Sequence, residues 1–187
     1  MYKQCITERS AKQQQSIESA FLDLIHSKPY HSVTVSDVCE KAGISRFTFY
    51  RIFDCKDDVL DAIVDKVLLQ WMQVQPSRIV TEENMYDQNC AFFAFWAQQK
   101  SLLQALCDSG KTSLIVERSI QFLTKEDHTV VQYFGAHKSE HGEEIFRFCA
   151  SGVFSLVIDW HQSGYQKSIE QMAQILEFLL QKLTIFS

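Results

Sequence analysis

The feature that most constrains this chain is the recurrence of apolar residues at three- and four-residue spacing. The pattern first occurs at Ile17, Ala20, Phe21, Leu24 and Ile25, and a second stripe that starts at residue 59 continues for four turns. Such spacing places one apolar face along an α-helix. The 187 residues also include only six Gly and two Pro, too few turn formers for many short strands. We therefore predict an all-α fold.

Two short helices separated by a tight turn are predicted after the first helix. Pro29 follows the end of the first helix, and Thr34 or Ser36 can cap the N-terminus of the next one. Gly43 then supplies the left-handed backbone conformation that stops this helix. Ser45 can cap the following short helix. Two short helices joined across a glycine turn form a helix-turn-helix.

The second short helix, at residues 46–53, is predicted to have one buried side and one exposed side. Its inward-facing residues are Phe49, Ile52 and Phe53. Its outward-facing residues are Arg46, Phe47, Thr48, Tyr50 and Arg51. The exposed side therefore combines two cations with two aromatic rings and two hydroxyls, which are groups that can contact nucleic acid.

The remainder of the chain is predicted to be a helical body. A long helix capped by Asp54, with Asp57 and Asp58 in its first turn, is expected to come first. After it we expect an aromatic-rich helix over 90–99, a short one over 101–107, a stretch over 111–136 that the pattern leaves unassigned, and two long helices over 142–162 and 168–184. We therefore divide the chain into a helix-turn-helix DNA-binding domain, 1–54, and a helical dimerisation and ligand-sensing domain, 55–187.

The distribution of charge separates the same two parts of the chain. The formal net charge is −5, which by itself argues against binding to nucleic acid. Residues 1–54, however, contain seven Lys and Arg against six Asp and Glu, so the acidic excess lies in the body. No apolar run approaches the roughly 18 residues that span a bilayer, and the first 15 residues are polar. We expect a cytoplasmic protein that does not bind membranes.

Cysteine and histidine residues do not indicate a metal site or a cofactor. The six cysteines include no CxxC pair, so we expect reduced and mostly buried thiols. The sequence also lacks the GxSxG, HExxH and glycine-rich phosphate-loop motifs of common enzyme classes. We predict neither catalysis nor a cofactor.

Residues 21–63 resemble the DNA-binding domain of the tetracycline-repressor (TetR) family. The matching elements are Thr34-Val35, Asp37-Val38, Ala42-Gly43-Ile44-Ser45, Thr48-Phe49-Tyr50, Phe53 and Lys56-Asp57. Residues 148–176 also resemble the last two helices of many members, in which a Trp-x-x-x-Gly motif separates the helices. The resemblance implies a transcriptional regulator, most simply a repressor, that binds a palindromic operator in double-stranded DNA as a homodimer.

The resemblance and the chemistry of the side chains together suggest which residues contact DNA. The candidates are Thr34, Ser45, Arg46, Phe47, Thr48, Tyr50, Arg51 and Lys56. Arg46 can pair with guanine and Phe47 can contact a thymine methyl, while the hydroxyls and Lys56 match positions that hold phosphates in the family. Phe47 stands where the family often has Gly and Ile52 where His is frequent. These departures keep open the alternative of a protein-interaction module that has this fold but binds no operator.

The two helices at the C-terminal end are candidates for the dimer interface. The residues concerned are Phe148, Gly152, Ser155, Leu156, Asp159, Ile175 and Leu179. A row of small residues in the first of these helices permits close approach, as in a two-fold four-helix interface. The same stripes could instead serve the core of a single protomer.

Aromatic residues are concentrated in the body, where they suggest an effector pocket. The candidate lining residues are Trp71, Phe92, Phe93, Trp96, Cys107 and Tyr133, with Gln98 and Gln99 as further polar groups. Because none of these side chains carries a fixed charge, the pocket would suit a neutral apolar or aromatic effector. The alternative is that the same rings form an ordinary packed core.

Overall fold

The computed structural model describes residues 7–74, 83–125 and 140–184. Within these ranges the chain forms α-helices and one 3₁₀ turn, and no strand, so the all-α prediction is confirmed. The helices are α1 (Glu8–Ser27), α2 (Val35–Ala42), α3 (Arg46–Ile52), α4 (Lys56–Val74), α5 (Met85–Ala97), α6 (Lys100–Ser109), α7 (Ser113–Lys125), α8 (Gly142–Gln162) and α9 (Ile169–Thr184).

The helices form two compact units. Unit 1 takes in the described residues up to Leu68 together with 101–114, and unit 2 takes in the described residues from 69 to 100 and from 115 onward. The predicted domain division at residue 54 stays a prediction.

In unit 1, the core forms where α1, α2 and α3 pack against one another. Phe21 on α1, Val38 on α2 and Phe49 on α3 are fully buried. Phe53, directly after α3, is also fully buried and lies 5.8 Å from Phe49 between ring centroids. The apolar stripe of α1 thus holds the two short helices in place.

In unit 2, α5 packs against both α8 and α9. Phe92, Phe93 and Trp96 on α5 are buried, and Phe154 and Trp160 from α8 contact them edge to face. A helix with large apolar groups on most of its sides is expected in the middle of a bundle. α5 begins at Met85, five residues before the predicted start. The apolar pattern missed these residues because Gln88 and Asn89 are buried although they are polar.

The connection between α8 and α9 explains the Trp-x-x-x-Gly motif. Gly164 has a φ of 70°, a left-handed conformation that ends α8. The indole N–H of Trp160 donates to the carbonyl of Lys167 at 2.8 Å, and the Tyr165 ring packs against that of Trp160. The tryptophan therefore holds the turn from which α9 begins.

Candidate nucleic-acid interface

The turn between α2 and α3 has the geometry that the sequence predicts. Gly43 adopts a φ of 65°, and its N–H donates to the carbonyls of Cys39 and Glu40. Thr34, rather than Ser36, is the N-cap of α2, and Ser45 is the N-cap of α3. α2 and α3 therefore form a helix-turn-helix.

α3 has one buried side and one exposed side. Phe49 and Ile52 are buried against α1 and α2, while Arg46 and Arg51 are exposed. The side chain of Phe47 is 79% exposed and that of Tyr50 is 49% exposed. The predicted division of this helix is confirmed except at Thr48, which is half-buried rather than exposed.

Hydrogen bonds to neighbouring helices hold the two arginines of α3. The guanidinium of Arg46 donates to the hydroxyl of Ser36 on α2. The guanidinium of Arg51 donates to the side-chain carbonyl of Gln13 on α1, at 2.6 Å. The cations at the two ends of α3 are thus positioned before any ligand arrives.

Hydroxyls predicted to contact phosphates already act as helix caps. The Thr34 hydroxyl accepts from the N–H of Asp37 at 3.2 Å and donates to its carboxylate at 2.7 Å. The Ser45 hydroxyl accepts from the N–H of Thr48 at 3.1 Å. Hydrogen bonds from the Lys28 ammonium and from Thr34 hold the pKa of Asp37 well below its usual range. The capping residues Thr34 and Ser45 are nevertheless exposed at the surface.

Lys56, the last of the predicted phosphate contacts, has a structural role in the helix-turn-helix unit. Its ammonium donates to the carbonyls of Tyr30 and Val33 at 2.8 and 3.0 Å, and it lies 4.4 Å from the centroid of the Tyr30 ring. A phosphate would compete with these carbonyls for the same three N–H groups. Contact between Lys56 and DNA stays a prediction.

A polar cluster next to Lys56 is absent from the sequence-based predictions. Asp57, the second residue of α4, accepts from the hydroxyl of Tyr30 and from the ammonium of Lys111, the latter at 2.7 Å. Burial and the hydrogen bond to Asp57 raise the pKa of Tyr30 well above its usual range. Burial raises the pKa of Asp57, but the hydrogen bonds from Lys111 and Tyr30 outweigh this effect and lower it. Because Asp57 and Lys111 are 54 positions apart, no local sequence pattern predicts their contact.

The aromatic residues predicted to line a pocket are only partly brought together. Trp71, Phe92, Phe93 and Trp96 share unit 2, and centroid distances from Phe92 to Trp71, Phe93 and Trp96 are 5.4, 5.4 and 6.2 Å. Cys107 belongs to unit 1, and Tyr133 lies outside the described residues.

The polar groups of this aromatic cluster differ from those expected. Gln98 is exposed and Gln99 half-buried, whereas Gln88 and Asn89 are buried. Trp96 is fully buried, and its indole N–H has no hydrogen-bond acceptor among the described residues.

Residues predicted for the dimer interface are mostly at the surface of the protomer. On α8, Phe148 is 67% exposed, and Gly152, Ser155 and Asp159 are exposed, with Leu156 half-buried. On α9, Leu179 is exposed and Ile175 half-buried; Phe178, which the prediction omitted, is also exposed.

The described ranges hold neither a metal site nor a helix that could span a membrane. They contain no cluster of three or more His, Cys, Asp or Glu side chains that could hold a metal ion. None of the helices in these ranges is both long and apolar enough to cross a membrane.

The five cysteines in the described ranges are free thiols; Cys39 and Cys149 are buried and Cys55 is exposed. The expectation of mostly buried thiols is therefore only partly met.

Comparison with known proteins identifies relatives of both parts of the chain. Residues 18–63 match the family described as bacterial regulatory proteins, tetR family, and residues 83–182 match the family described as transcriptional regulator C-terminal region. A curated relative, the HTH-type dhaKLM operon transcriptional activator DhaS of Lactococcus lactis subsp. lactis strain IL1403, is 38% identical over 58 residues. That match spans 31% of each chain, so it covers about a third of the relative's length.

Three solved structures resemble the fold over nearly the whole chain. The dihydroxyacetone kinase operon activator DhaS has a TM-score of 0.61 at 20% identity, covering 91% of this chain and 95% of that one. A putative TetR-family transcriptional regulator from Syntrophomonas wolfei strain Goettingen has a TM-score of 0.67 at 16% identity, with coverages of 94% and 96%. The TetR family repressor AlkX from Dietzia sp. strain DQ12-45-1b has a TM-score of 0.53 at 17% identity, with coverages of 90% and 95%.

The second family match alone covers more than half of the 187 residues, and the first includes the whole helix-turn-helix. In helix-turn-helix proteins the second helix of the motif is the one that enters the major groove of DNA. The chain therefore belongs to the TetR family and is a transcriptional regulator.

Proposed function

We propose that this regulator binds a palindromic operator as a homodimer and that an uncharged ligand in unit 2 releases it. The observation that carries operator binding is the exposed side of α3, where Phe47 and Tyr50 lie between two arginines held by neighbouring helices. Pre-positioned side chains lose less conformational entropy when they bind.

The side chains at this surface divide into base-reading and phosphate-holding groups. Arg46 reads guanine and Phe47 contacts a thymine methyl. Thr34, Ser45, Thr48, Tyr50, Arg51 and Lys56 hold the sugar-phosphate backbone. Arg46 donates to Ser36 through one guanidinium nitrogen, so its other N–H groups stay available for a base.

The dimer forms through α8 and α9. Phe148, Phe178 and Leu179 expose apolar side chains that an isolated protomer leaves in water. Gly152 has open space where a Cβ would stand, so a second helix can approach closely. A two-fold pair places its recognition helices about 34–36 Å apart, or at a multiple of this spacing, on one face of the duplex.

The effector is a neutral molecule that carries a hydrogen-bond acceptor. The buried indole N–H of Trp96 supports this choice, since within the described ranges it lacks an acceptor that a carbonyl or hydroxyl oxygen could supply. A buried donor without an acceptor costs about 1–3 kcal/mol, which a ligand recovers on binding. The surrounding Phe92, Phe93 and Phe154 rings favour an aromatic or otherwise apolar body.

Repression is the proposed direction of control. Occupying a promoter blocks transcription through DNA binding alone, whereas activation also requires contact with the transcription machinery. The relatives include both an activator and a repressor, so similarity does not choose between them. A reporter gene behind the bound DNA should be expressed more strongly when the regulator is deleted; weaker expression would identify an activator.

A gel-shift assay tests operator binding most directly. The purified protein is titrated against the DNA upstream of its own gene, against duplexes selected from a random library, and against scrambled duplexes of equal length. We expect a preference for a palindromic sequence of at least about 10³-fold over scrambled DNA. Equal affinity for all duplexes would reject the operator and favour the protein-interaction module.

A thermal-shift screen of neutral aromatic and lipid-like compounds tests the effector. A ligand at a hundred times its dissociation constant should add about 2.7 kcal/mol of stability. A true effector should also release the selected duplex and lose affinity in Trp96→Phe, which removes the indole N–H but keeps an aromatic ring. Stabilisation without release would mean that the ligand site is not the switch.

A further inference from the structure

Segment 101–114 packs in the same unit as the helix-turn-helix, although at both ends its chain continues into unit 2. Two polar contacts tie it there. The Ser101 hydroxyl contacts the His26 ring near the end of α1, and the Lys111 ammonium lies 2.7 Å from the Asp57 carboxylate at the start of α4. The segment therefore contacts the helices that flank α2 and α3.

Asp57 joins Lys111 to the connection between α1 and α2. One carboxylate oxygen accepts from Lys111 and the other from the hydroxyl of Tyr30. The side chains of Lys111 and Asp57 are 35% and 42% exposed, so water only partly screens their attraction. Removing Lys111 would leave Asp57 with one fewer donor and free to turn away from Tyr30.

Tyr30 carries this constraint to the N-terminus of α2. Its ring is buried and lies edge to face with Phe21 at 6.0 Å. Its carbonyl and that of Val33 accept from Lys56, and Val33 directly precedes the N-cap Thr34. A shift of Tyr30 would therefore displace the start of α2, and α3 follows α2 after the three-residue turn 43–45.

We propose that Lys111 is a positioning residue for operator binding, which acts through Asp57 and Tyr30 and does not itself contact DNA. The inference rests on the proposed operator binding. Lys111 sets the placement of α2 and α3.

The test compares Lys111→Gln with wild type on a selected duplex and a scrambled duplex over a series of salt concentrations. Affinity for the selected duplex should fall about three- to tenfold, a size typical of coupled side chains. The salt dependence should keep the wild-type slope, because the number of neutralised phosphates is unchanged. Lys111→Arg keeps the ion pair and should restore affinity.

Lys66→Gln is the matched control. Lys66 on α4 forms an ion pair with Glu18 on α1 at 2.9 Å in the same unit, so its ammonium is directed to Glu18 rather than to Tyr30 or Asp57. The Lys66→Gln variant should keep wild-type operator affinity, even if its thermal unfolding midpoint falls as far as that of Lys111→Gln. Tyr30→Phe, which removes only a hydroxyl, should weaken specific binding, and its effect should be smaller in the Lys111→Gln background.

Three results would overturn this inference: wild-type affinity in a folded Lys111→Gln protein, a salt slope lowered by about one, which indicates direct phosphate contact, or an equal loss in Lys66→Gln. A wild-type protein that fails to distinguish selected from scrambled duplexes would instead reject the proposed function, and this inference with it.

Discussion

Phe47 and Phe49 lie two residues apart on α3 and at opposite extremes of exposure, 79% and 0%. The Phe49 ring packs against Phe53 in the core, whereas the Phe47 ring projects from the surface of the helix. An exposed ring of this size on a short helix costs solubility and contributes little to packing. Its position beside Arg46 suits it for contact with DNA.

Substituting these two phenylalanines should separate stability from DNA binding. Phe49→Ala should lower the free energy of unfolding by about 3–5 kcal/mol, because it opens a cavity in the core of unit 1. Phe47→Ala should change it by less than about 0.5 kcal/mol and should weaken binding to the selected duplex. Urea unfolding and gel shifts measure the two effects. Unchanged operator affinity in Phe47→Ala would reject its contact with bases.

Arg46→Ala should relax sequence preference more than it lowers overall affinity. A bidentate arginine–guanine pair contributes about 1–3 kcal/mol of discrimination, and its loss should show mainly on the selected duplex. Ser36→Ala is the matched control, since it removes the partner that holds Arg46 but leaves the guanidinium in place. If Arg46→Ala keeps the wild-type ratio of affinities for selected and scrambled duplexes, the assignment of base reading is wrong.

Gly152→Arg should abolish the dimer without harming the protomer. A Cβ atom at this position would meet nothing within 4 Å, and arginine favours a helix over glycine by about 0.5–1 kcal/mol. At a two-fold interface, however, it would place two cations and two long side chains between closely packed helices. Sedimentation velocity at micromolar concentration should show a monomer that has lost operator affinity. Glu117→Arg, on the exposed surface of α7, is the control; a Gly152→Arg dimer would exclude this interface.

The ion pair of Asp57 should make stability depend on pH on the acid side. Folding lowers the pKa of Asp57. The ionised carboxylate therefore stabilises the folded protein at pH values above its unfolded pKa of about 3.9. This stabilisation is lost as the pH falls through the folded pKa. Asp57→Asn should therefore cost about 0.5–1 kcal/mol at pH 7 and progressively less below about pH 4. Urea unfolding across this range measures the difference, with Asp108→Asn as the control for net charge. A constant difference at all pH values would contradict the prediction.

Cys55 should react with iodoacetamide well before the buried thiols. Burial raises the pKa of the Cys149 and Cys39 thiols, which lowers the fraction of reactive thiolate at neutral pH. The reaction slows in proportion to the loss of thiolate, and the surrounding protein slows it further. Peptide mass spectrometry on timed samples separates the sites. Labelling of Cys149 as fast as that of Cys55 would indicate that unit 2 opens readily.

Local signals in the sequence determined the helix-turn-helix. Thr34, Gly43 and Ser45 act on backbone groups within four residues, so their roles as caps and stop could be predicted without knowledge of the fold. The burial of Phe49 and the exposure of Phe47 follow from helical periodicity alone. In the body, the apolar pattern located α8 but missed the first turn of α5, because the buried Gln88 and Asn89 carry no apolar signal.

Only the tertiary structure decided which distant side chains meet. Lys111 and Asp57 are 54 positions apart, a separation that no local sequence pattern spans. Their ion pair exists because segment 101–114 packs in unit 1. Cys107, which the sequence analysis groups with the aromatic residues of unit 2, belongs to unit 1. Periodicity indicates which face of a helix is buried, but it does not name the partner, because apolar packing is non-directional and many pairings bury the same face. The partner of each polar group is therefore a property of the assembled fold.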